Sequence, residues 1–391
     1  MAMDVNTGRV LAMQGGFDYD HSVFNRATQA DRQPGSSFKP IYITEAIDQK
    51  MVTAATVIKD EATDFGGYKP NNYDFRFRGN ITLRNALSQS LNIPAVKVMQ
   101  QLGVDESIDK AREMGLSTID PKRDYGLALA LGAAETKPID MANAYAAFAD
   151  GGRQHDVSLI STIENKYGET IFRNETTSKR VQSSEASFVI SDILSDNSAR
   201  APSFGSRLNI PGRDVAVKTG STDDNRDAWT IGYTPSIAVA VWVGNNENEV
   251  MSAGGSSMAG PIWSRSMQVY LGDTPKEDFV QPSGVTKTAA CSASGGSYEE
   301  FFVDGTVPSK NCEQKKEETV TEEPAPQPEV KDSDGDGIAD DKDECPTVVG
   351  VAENDGCPVE EEADADKISD ELKNTKMPTT PPNVVTKIVS R

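Results

Sequence analysis

The chain has 391 residues, enough for two or more domains with a sizeable core. Its formal net charge is −21, and residues 313–391 contribute −13 of it, from 22 acidic and 9 basic side chains. This acidic balance argues against nucleic-acid binding, which needs a basic face. The only histidines are His21 and His155. A histidine-based zinc cluster is therefore implausible, and we expect neither histidine to be catalytic.

The N-terminal part predicts a hairpin followed by a buried helix. Residues 3–15 form two short apolar runs about an Asn-Thr-Gly turn. Pro34 and Gly35 then predict a turn, and the apolar positions after them suit a helix that begins near Ser36. Ser36 and Lys39 would share one face of that helix. A lysine in a water-poor pocket with cationic neighbours loses its charge and takes the proton of a serine, without a histidine.

The rest of the chain predicts a mixture of helices and antiparallel strands. Helices are expected over 82–101, with a break near Pro94, and over 124–150, 184–195 and 261–271, and strands over 159–164, 170–172, 215–220, 229–233 and 237–243. Strands faced by helices, with further helices clustered apart from the sheet, define the α+β class.

Four further short patterns fall on these elements. Ser90 and Asn92 lie in the predicted break, where a helix end directs polar side chains into a cleft. Residues 218–221 (KTGS) lie on a buried strand, where glycine lets a ligand approach the backbone. A second Ser-x-Asn, at 195–197, is interpreted as a helix cap. A second Ser-x-x-Lys, at 107–110 in a polar amphipathic segment, is interpreted as a solvated helix face.

The order Ser-x-x-Lys, Ser-x-Asn, Lys-Thr-Gly resembles the motif set of the serine β-lactamases and penicillin-binding proteins. Longer strings are similar to the transpeptidase domain of class A penicillin-binding proteins, the bifunctional peptidoglycan synthases. These strings are FNRATQADRQPGSSFKP (24–40), LALALGAAE (127–135), VKTGSTDDNRDAW (217–229) and VWVGN (241–245). The resemblance covers about residues 3–275. It implies the penicillin-binding fold, with an antiparallel sheet flanked by helices and a helical cluster beside it.

This resemblance also implies a serine D,D-transpeptidase that needs no cofactor for catalysis. Ser36 would attack a D-Ala-D-Ala stem peptide of peptidoglycan, and Lys39 would be its base. Ser90 would relay a proton to the leaving amine. Lys218 would lie close by, and its charge would help to keep Lys39 neutral. An amine from a second stem peptide would then take the acyl group.

The same resemblance implies the substrate contacts. Asn92 would hold the peptide amide, and the backbone N–H groups of Ser36 and Ser221 would form the oxyanion hole. The hydroxyls of Thr219 and Ser221, on either side of Gly220, would bind the substrate carboxylate. The family more often has threonine at the position of Ser221, and the hydroxyl is kept.

Two alternatives remain open. The first is a hydrolytic relative, a D,D-carboxypeptidase or β-lactamase, in which water takes the acyl group. The second is an inactive calcium-binding surface protein, against which the intact motifs argue. The expected partners are stem peptides and β-lactams.

The family also carries an N-terminal membrane helix and a glycosyltransferase domain, and neither precedes the first strand here. The sequence has no run of 18 apolar residues and no signal peptide. We therefore expect a fragment of an exported protein, membrane-anchored at full length and acting outside the cytoplasm.

The last third of the chain holds all four cysteines, Cys291, Cys312, Cys345 and Cys357. Their even number and loop-rich surroundings favour two disulfides in an oxidising compartment. Three pairings are open, of which 291–312 with 345–357 is the simplest.

Residues 332–346 and 354–358 resemble a thrombospondin type 3 repeat. Five aspartates there supply hard oxygen ligands at a spacing that can wrap a calcium ion: Asp332, Asp334, Asp336, Asp340 and Asp343. An EF-hand fits less well because Asp343 stands where a glutamate is wanted, and a solvated acidic linker is the other alternative. The expected organisation is a transpeptidase domain (1–275), a Cys-containing segment (276–312), an acidic Pro-rich linker (313–330), the calcium repeat (331–358) and a disordered tail (359–391).

Overall fold

The computed structural model describes residues 1–20, 22–291, 296–308, 332–335, 337–340, 342–349, 351, 355, 357 and 358. The chain divides into two compact units, Met1–Gln314 and Lys315–Arg391. Within the described residues, no helix is both long and apolar enough to span a membrane.

The first unit is α+β, as the sequence predicts. Its α-helices are α1 (Arg26–Gln29), α2 (Lys39–Asp48), α3 (Leu83–Ser88), α4 (Asn92–Leu102), α5 (Val104–Glu113), α6 (Pro138–Ala149), α7 (Ser184–Ser195), α8 (Asn197–Phe204), α9 (Gly255–Met258) and α10 (Gly260–Leu271). Short 3₁₀ helices span Gly35–Phe38, Gly126–Leu131 and Asp223–Asn225. Its strands are β1 (Ala2–Asp4), β2 (Val10–Ala12), β3 (Val57–Asp60), β4 (Gly79–Thr82), β5 (Arg153–His155), β6 (Thr162–Glu164), β7 (Thr170–Arg173), β8 (Ser178–Arg180), β9 (Ala216–Ser221), β10 (Asp227–Tyr233), β11 (Ile237–Gly244), β12 (Val285–Cys291) and β13 (Ser297–Val303).

Polar caps determine where several helices begin. The side chain of Thr82 accepts a hydrogen bond from the Asn85 N–H at the start of α3, and Ser183 caps α7 in the same way. Asp196 caps α8 and confirms the cap predicted at residues 195–197. The predicted break lies at residues 89–91, between α3 and α4.

A five-stranded antiparallel sheet forms the centre, in the order β2-β1-β11-β10-β9. Its side chains alternate between two cores, as the pleat of a sheet requires. Trp229 and Tyr233 pack with residues of α2, α6 and α7, whereas Val217 and Val239 pack with Trp263 of α10. Helices therefore cover both faces. Strand β9 is an edge strand, so one row of its backbone N–H and C=O groups is not paired within the sheet.

The hairpin of β12 and β13 joins this unit through a buried charge cluster. Arg84 of α3 donates from Nε to Oε2 of Glu300 on β13 at 2.7 Å, and it also contacts the carboxylates of Asp192 and Asp196. Glu300 is only 1% exposed. Burial acts to lower the pKa of Arg84, but the bonds to Glu300 and Asp192 raise it above its ordinary value. The arginine is therefore charged, and the hairpin supplies one of its counter-charges.

The second unit is described only in part. Cys345 and Cys357 form a disulfide with a Cα–Cα distance of 5.1 Å, which confirms one predicted pair. Cys312 lies outside the described residues, so its pairing stays a prediction, and the linker (313–330) and tail (359–391) also lie outside them.

We expect Glu300→Ala to lower the free energy of unfolding of the first unit by about 3 kcal/mol. The substitution removes one counter-charge of the buried Arg84 guanidinium, and a buried charge that loses a partner is costly. Urea unfolding of the full chain followed by tryptophan fluorescence measures the change. Glu299→Ala is the matched control, because Glu299 is the exposed neighbour on the same strand. Equal midpoints for the two variants would contradict this account of the hairpin.

Candidate active site

The Ser36 turn lies directly against the edge strand β9. The 3₁₀ helix Gly35–Phe38 runs straight into α2, and the Lys39 N–H donates to the Ser36 carbonyl. Residues three apart are eclipsed in a 3₁₀ helix, so the side chains of Ser36 and Lys39 leave the same face. The helical element predicted to begin near Ser36 is present, with a 3₁₀ first turn.

Two glycines allow the turn and the strand to approach at backbone distance. Gly35 has a φ of +56°, and a Cβ built there would lie 2.4 Å from the carbonyl oxygen of Ser221. A Cβ on Gly220 would lie 2.1 Å from the carbonyl oxygen of Pro34. A side chain at either position would force the turn and strand apart. The glycines therefore bring the Ser36 backbone to the Lys-Thr-Gly strand.

Buried hydrogen bonds hold this turn in place. The Tyr145 hydroxyl donates to the Ser37 carbonyl at 2.7 Å, and the Trp229 Nε1–H donates to the Gln33 carbonyl at 2.9 Å. The Ser37 hydroxyl donates to the Pro34 carbonyl at 2.7 Å. The Ser36 side chain is partly exposed, and its hydroxyl makes no hydrogen bond within the described residues. The hydroxyl is thus presented on a rigid turn.

Lys39 is fully buried and its amine has three acceptors. Nζ donates to the carbonyls of Ser90 and Leu91, at 2.9 and 3.0 Å, and to Oδ1 of Asn92 at 2.8 Å. Three acceptors suit an ammonium group, whereas burial and the charge of Lys218 lower the pKa of Lys39 well below its ordinary value. The Lys39 amine therefore loses its proton more readily than an ordinary lysine, and its neutral form has a lone pair that can accept a proton.

Ser90 separates the two lysines. Its carbonyl faces Lys39, and its hydroxyl accepts a hydrogen bond of 2.7 Å from Lys218 Nζ. Ser90 has a φ of +63°, a left-handed conformation that a non-glycine residue adopts only when its surroundings hold it there. One strained residue thus contacts both amines.

Lys218 has a second cationic neighbour, which the sequence analysis missed. Burial, and then the charge of Arg200, lower the pKa of Lys218 to about 7. Arg200 is 2% exposed and donates to the Leu194 carbonyl at 2.6 Å and to Oδ1 of Asn197. No motif marks this arginine, because its effect on Lys218 depends on the folded positions of two residues that are distant in the sequence.

The remaining predicted substrate residues line the same region. Thr219 and Gly220 are buried, and the Ser221 hydroxyl accepts from the Gly255 N–H at 2.9 Å. Asn92 begins α4, and its Nδ2 donates to the Asn71 carbonyl at 2.7 Å. The structure therefore brings the Ser-x-x-Lys, Ser-x-Asn and Lys-Thr-Gly segments together.

The other candidate residues lie elsewhere. Ser107 is fully buried and donates to the Gly103 carbonyl, so its interpretation as part of a solvated face is wrong. It packs inward because α5 lies on α2 and α4. His155 pairs with Asp150 at 2.9 Å, and His21 lies outside the described residues.

In the second unit, three of the predicted calcium ligands accept hydrogen bonds from backbone N–H groups, and one of them is Asp343, whose Oδ1 accepts from the Cys345 N–H at 2.7 Å. Asp332 accepts from the N–H groups of Gly335 and Gly337, and Asp340 accepts from the Ser333 N–H and hydroxyl. Asp343 is 7% exposed, and its Oδ2 has no hydrogen-bond partner in the described part of the chain.

Asp336 lies outside the described residues, and Asp334 has an interaction partner. Across the described residues, no group of three or more acidic, histidine or cysteine side chains is arranged to hold a metal ion.

A serine and two buried lysines at the edge of a helix-covered antiparallel sheet define a histidine-free serine site of the penicillin-binding type. A family model described as the penicillin binding protein transpeptidase domain matches residues 1–268, and the chain belongs to this family. This confirms the resemblance identified from the motifs.

The curated relatives include penicillin-binding protein 2D of Bacillus subtilis (strain 168), 34% identical over 80% of this chain and 47% of its own length. Penicillin-binding protein 1A of Neisseria lactamica is 33% identical over 73% of the chain and 37% of its own length. The chain thus spans less than half the length of these relatives.

Solved structures share the fold. Penicillin-binding protein 1A from Haemophilus influenzae superposes with a TM-score of 0.72 at 26% identity, covering 79% of this chain and 53% of that one. PonA1 from Mycobacterium tuberculosis in complex with penicillin V gives a TM-score of 0.65 at 27% identity, covering 72% and 80%.

The lowered pKa of Lys218 predicts a pH dependence of stability. In the unfolded chain this lysine has its ordinary pKa of about 10.4, so between about pH 7 and about pH 10 the unfolded chain binds more protons. Stability therefore rises with pH across this range. From about pH 7 to about pH 9, we expect the free energy of unfolding of the wild-type chain to rise by about 2 kcal/mol relative to Lys218→Met.

Chemical denaturation at both pH values measures this difference. The matched control is Lys166→Met, which removes an exposed lysine and should follow the wild type at every pH. A constant difference between wild type and Lys218→Met would mean that the buried amine keeps an ordinary pKa.

Proposed function

We propose that this chain is a serine D,D-transpeptidase that forms an acyl-enzyme on Ser36 and passes the acyl group to an amine. The observation that carries the proposal is the pair of buried lysine amines on either side of Ser90, next to the rigid Ser36 turn. Such an arrangement supplies a base and a proton relay without histidine.

In the first step, Lys39 takes the proton of the Ser36 hydroxyl. The Ser36 oxygen attacks the carbonyl carbon of the penultimate D-Ala in a D-Ala-D-Ala stem peptide. Negative charge then develops on the carbonyl oxygen, where the N–H groups of Ser36 and Ser221 form the oxyanion hole. The close approach of the turn to β9 supports this pairing of donors.

In the second step, the carbon–nitrogen bond breaks and the terminal D-Ala leaves. The nitrogen of the leaving D-Ala needs a proton, which the Ser90 hydroxyl donates. Lys218 then donates a proton to the Ser90 oxygen. The 2.7 Å hydrogen bond between Lys218 and Ser90 supports this route. With a pKa of about 7, Lys218 exchanges protons readily near neutral pH.

The substrate lies along the free edge of β9. An extended peptide can pair with the backbone groups that the sheet leaves open on this side. The hydroxyls of Thr219 and Ser221, beside the small Gly220, bind the terminal carboxylate, and Asn92 holds the peptide amide. An amine of a second stem peptide then attacks the Ser36 ester and passes its proton through Ser90 to Lys218. The ester bond to Ser36 breaks as the cross-link forms, and Lys39 returns its proton to the Ser36 oxygen.

This chemistry places the protein outside the cytoplasm, where peptidoglycan is built. The disulfide between Cys345 and Cys357 supports an oxidising compartment. β-Lactams are expected to acylate Ser36 in place of the stem peptide.

We expect a fluorescent penicillin to form one covalent adduct on the full chain, and Ser36→Ala to abolish it. Intact-mass spectrometry after labelling measures both. Ser107→Ala is the matched control, because it removes the serine of the other Ser-x-x-Lys and should leave labelling unchanged.

The release rate of the adduct separates the alternatives. Slow release supports the transpeptidase, whereas rapid release to water supports a D,D-carboxypeptidase or β-lactamase. If a folded chain forms no adduct, the proposal is contradicted. The remaining alternative is then an inactive calcium-binding surface protein.

For the second unit, we propose a calcium site of the thrombospondin type 3 kind, with ligands Asp332, Asp334, Asp336, Asp340 and Asp343. The buried Oδ2 of Asp343, which lacks a hydrogen-bond partner among the described residues, supports it. A buried carboxylate oxygen needs a donor or a cation, and calcium accepts such oxygens in flexible geometry.

We expect calcium to bind the oxidised chain with a dissociation constant of roughly 10⁻⁴ to 10⁻³ M. Isothermal titration calorimetry measures it, and Asp343→Asn should remove the heat. Glu344→Gln is the control, because it changes an exposed neighbour outside the ligand set. Absence of a calcium-dependent heat in the wild type would contradict the site.

A further inference from the structure

The N-terminus of α4 is capped from another part of the chain. The residue before the helix is Leu91, whose side chain offers no cap. Instead, the Asn92 N–H donates to the side-chain oxygen of Asn72, at 2.7 Å, from the segment between β3 and β4. The first N–H groups of a helix have no partner within it, so Asn72 satisfies a donor that would otherwise be unpaired.

A buried carboxylate dictates how the Asn72 amide is turned. Asp60 is fully buried, and both of its oxygens accept from Asn72 Nδ2 at 2.9 Å. The Arg78 N–H also donates to Asp60, at 2.8 Å. A carboxylate can only accept, so a flipped Asn72 amide would face it with an oxygen and would face Asn92 with a donor. Only the observed orientation satisfies both neighbours.

This chain of hydrogen bonds ends at the proposed catalytic groups. Asn92 is held at its backbone by Asn72 and at its side chain by the Asn71 carbonyl, and its Oδ1 faces Lys39 at 2.8 Å. Two residues earlier, Ser90 keeps its left-handed conformation while it faces Lys218. A residue with a strained backbone keeps that conformation only if contacts with its surroundings hold it there.

We propose that Asn72 and Asp60 are positioning residues for the reaction at Ser36. Asn72 caps α4 from outside the helix, Asp60 fixes the Asn72 amide, and together they place Ser90 and Asn92 against the two lysines. The inference rests on the proposed acylation of Ser36 for its effect on rate, but the cap itself is independent of that function. Asn72 is 1% exposed, whereas its neighbours Asn71 and Tyr73 are exposed, which fits a side chain committed to an internal contact.

The test compares Asn72→Ala and Asp60→Asn with the wild-type full chain in labelling by fluorescent penicillin. The final stoichiometry of adduct reports the fraction of folded sites, and the rate constant reports how well each folded site reacts. We expect a stoichiometry close to that of the wild type, with the rate constant for acylation reduced about tenfold to a hundredfold. Asn80→Ala is the matched control, an exposed asparagine on β4 that should react as the wild type does.

Hydrogen–deuterium exchange gives a readout that needs no activity. Peptides covering residues 90–96 should exchange faster in Asn72→Ala than in the wild type and Asn80→Ala. A wild-type rate constant in both variants, or a loss of stoichiometry at an unchanged rate, would overturn a positioning role. Unchanged exchange at 90–96 would overturn the cap. A wild type that takes no label would refute the proposed function, and the exchange experiment would still decide the inference.

Discussion

Two lysine amines buried on either side of one serine are the constraint on which this site depends. Burial of a charged amine is unfavourable, so each lysine needs oxygen acceptors and loses affinity for its proton. Lys39 and Lys218 meet both conditions at Ser90, through its carbonyl and its hydroxyl. Arg200 adds a third positive charge in the same interior, and the three cations together favour neutral amines. The proposed base and proton relay would thus arise from electrostatics rather than from histidine.

Backbone proximity is the second requirement, because the proposed oxyanion donors, the N–H groups of Ser36 and Ser221, belong to two different elements. The turn of Ser36 and the strand β9 touch through Gly35 and Gly220, with no side chain between them. Tyr145 of α6 and Trp229 of β10 hold the turn by hydrogen bonds to its backbone carbonyls. The Ser36 hydroxyl therefore lies on a turn whose backbone is held by buried hydrogen bonds.

Polar partners supplied from a distance complete the site. Asn72 and Asp60 belong to the segment that includes β3, and they determine the geometry at the start of α4. Arg84, on the helix that leads to Ser90, is neutralised in part by Glu300 from the hairpin near the end of the unit. Much of what lies around Ser90 is therefore set by side chains far away in sequence.

The sequence by itself was enough for the class of fold, the family and the three short motifs. Each of these is a local pattern: a helical period, a strand next to a glycine, or a serine three residues before a lysine. The same locality explains the errors and omissions. Ser107 repeats the Ser-x-x-Lys spacing, and only packing shows that it points into the core. Arg200, Asp60 and Asn72 carry no motif at all.

Only the tertiary structure decided which of these groups face one another. The pKa of Lys218 depends on the burial that β9 and its neighbours impose and on the distance to Arg200, and neither quantity is a property of local sequence. The left-handed Ser90 and its external cap likewise depend on contacts between segments far apart in the chain. Local spacing selects the elements, but electrostatics and hydrogen bonding act through space, so the chemistry of the site is defined only when the chain has folded.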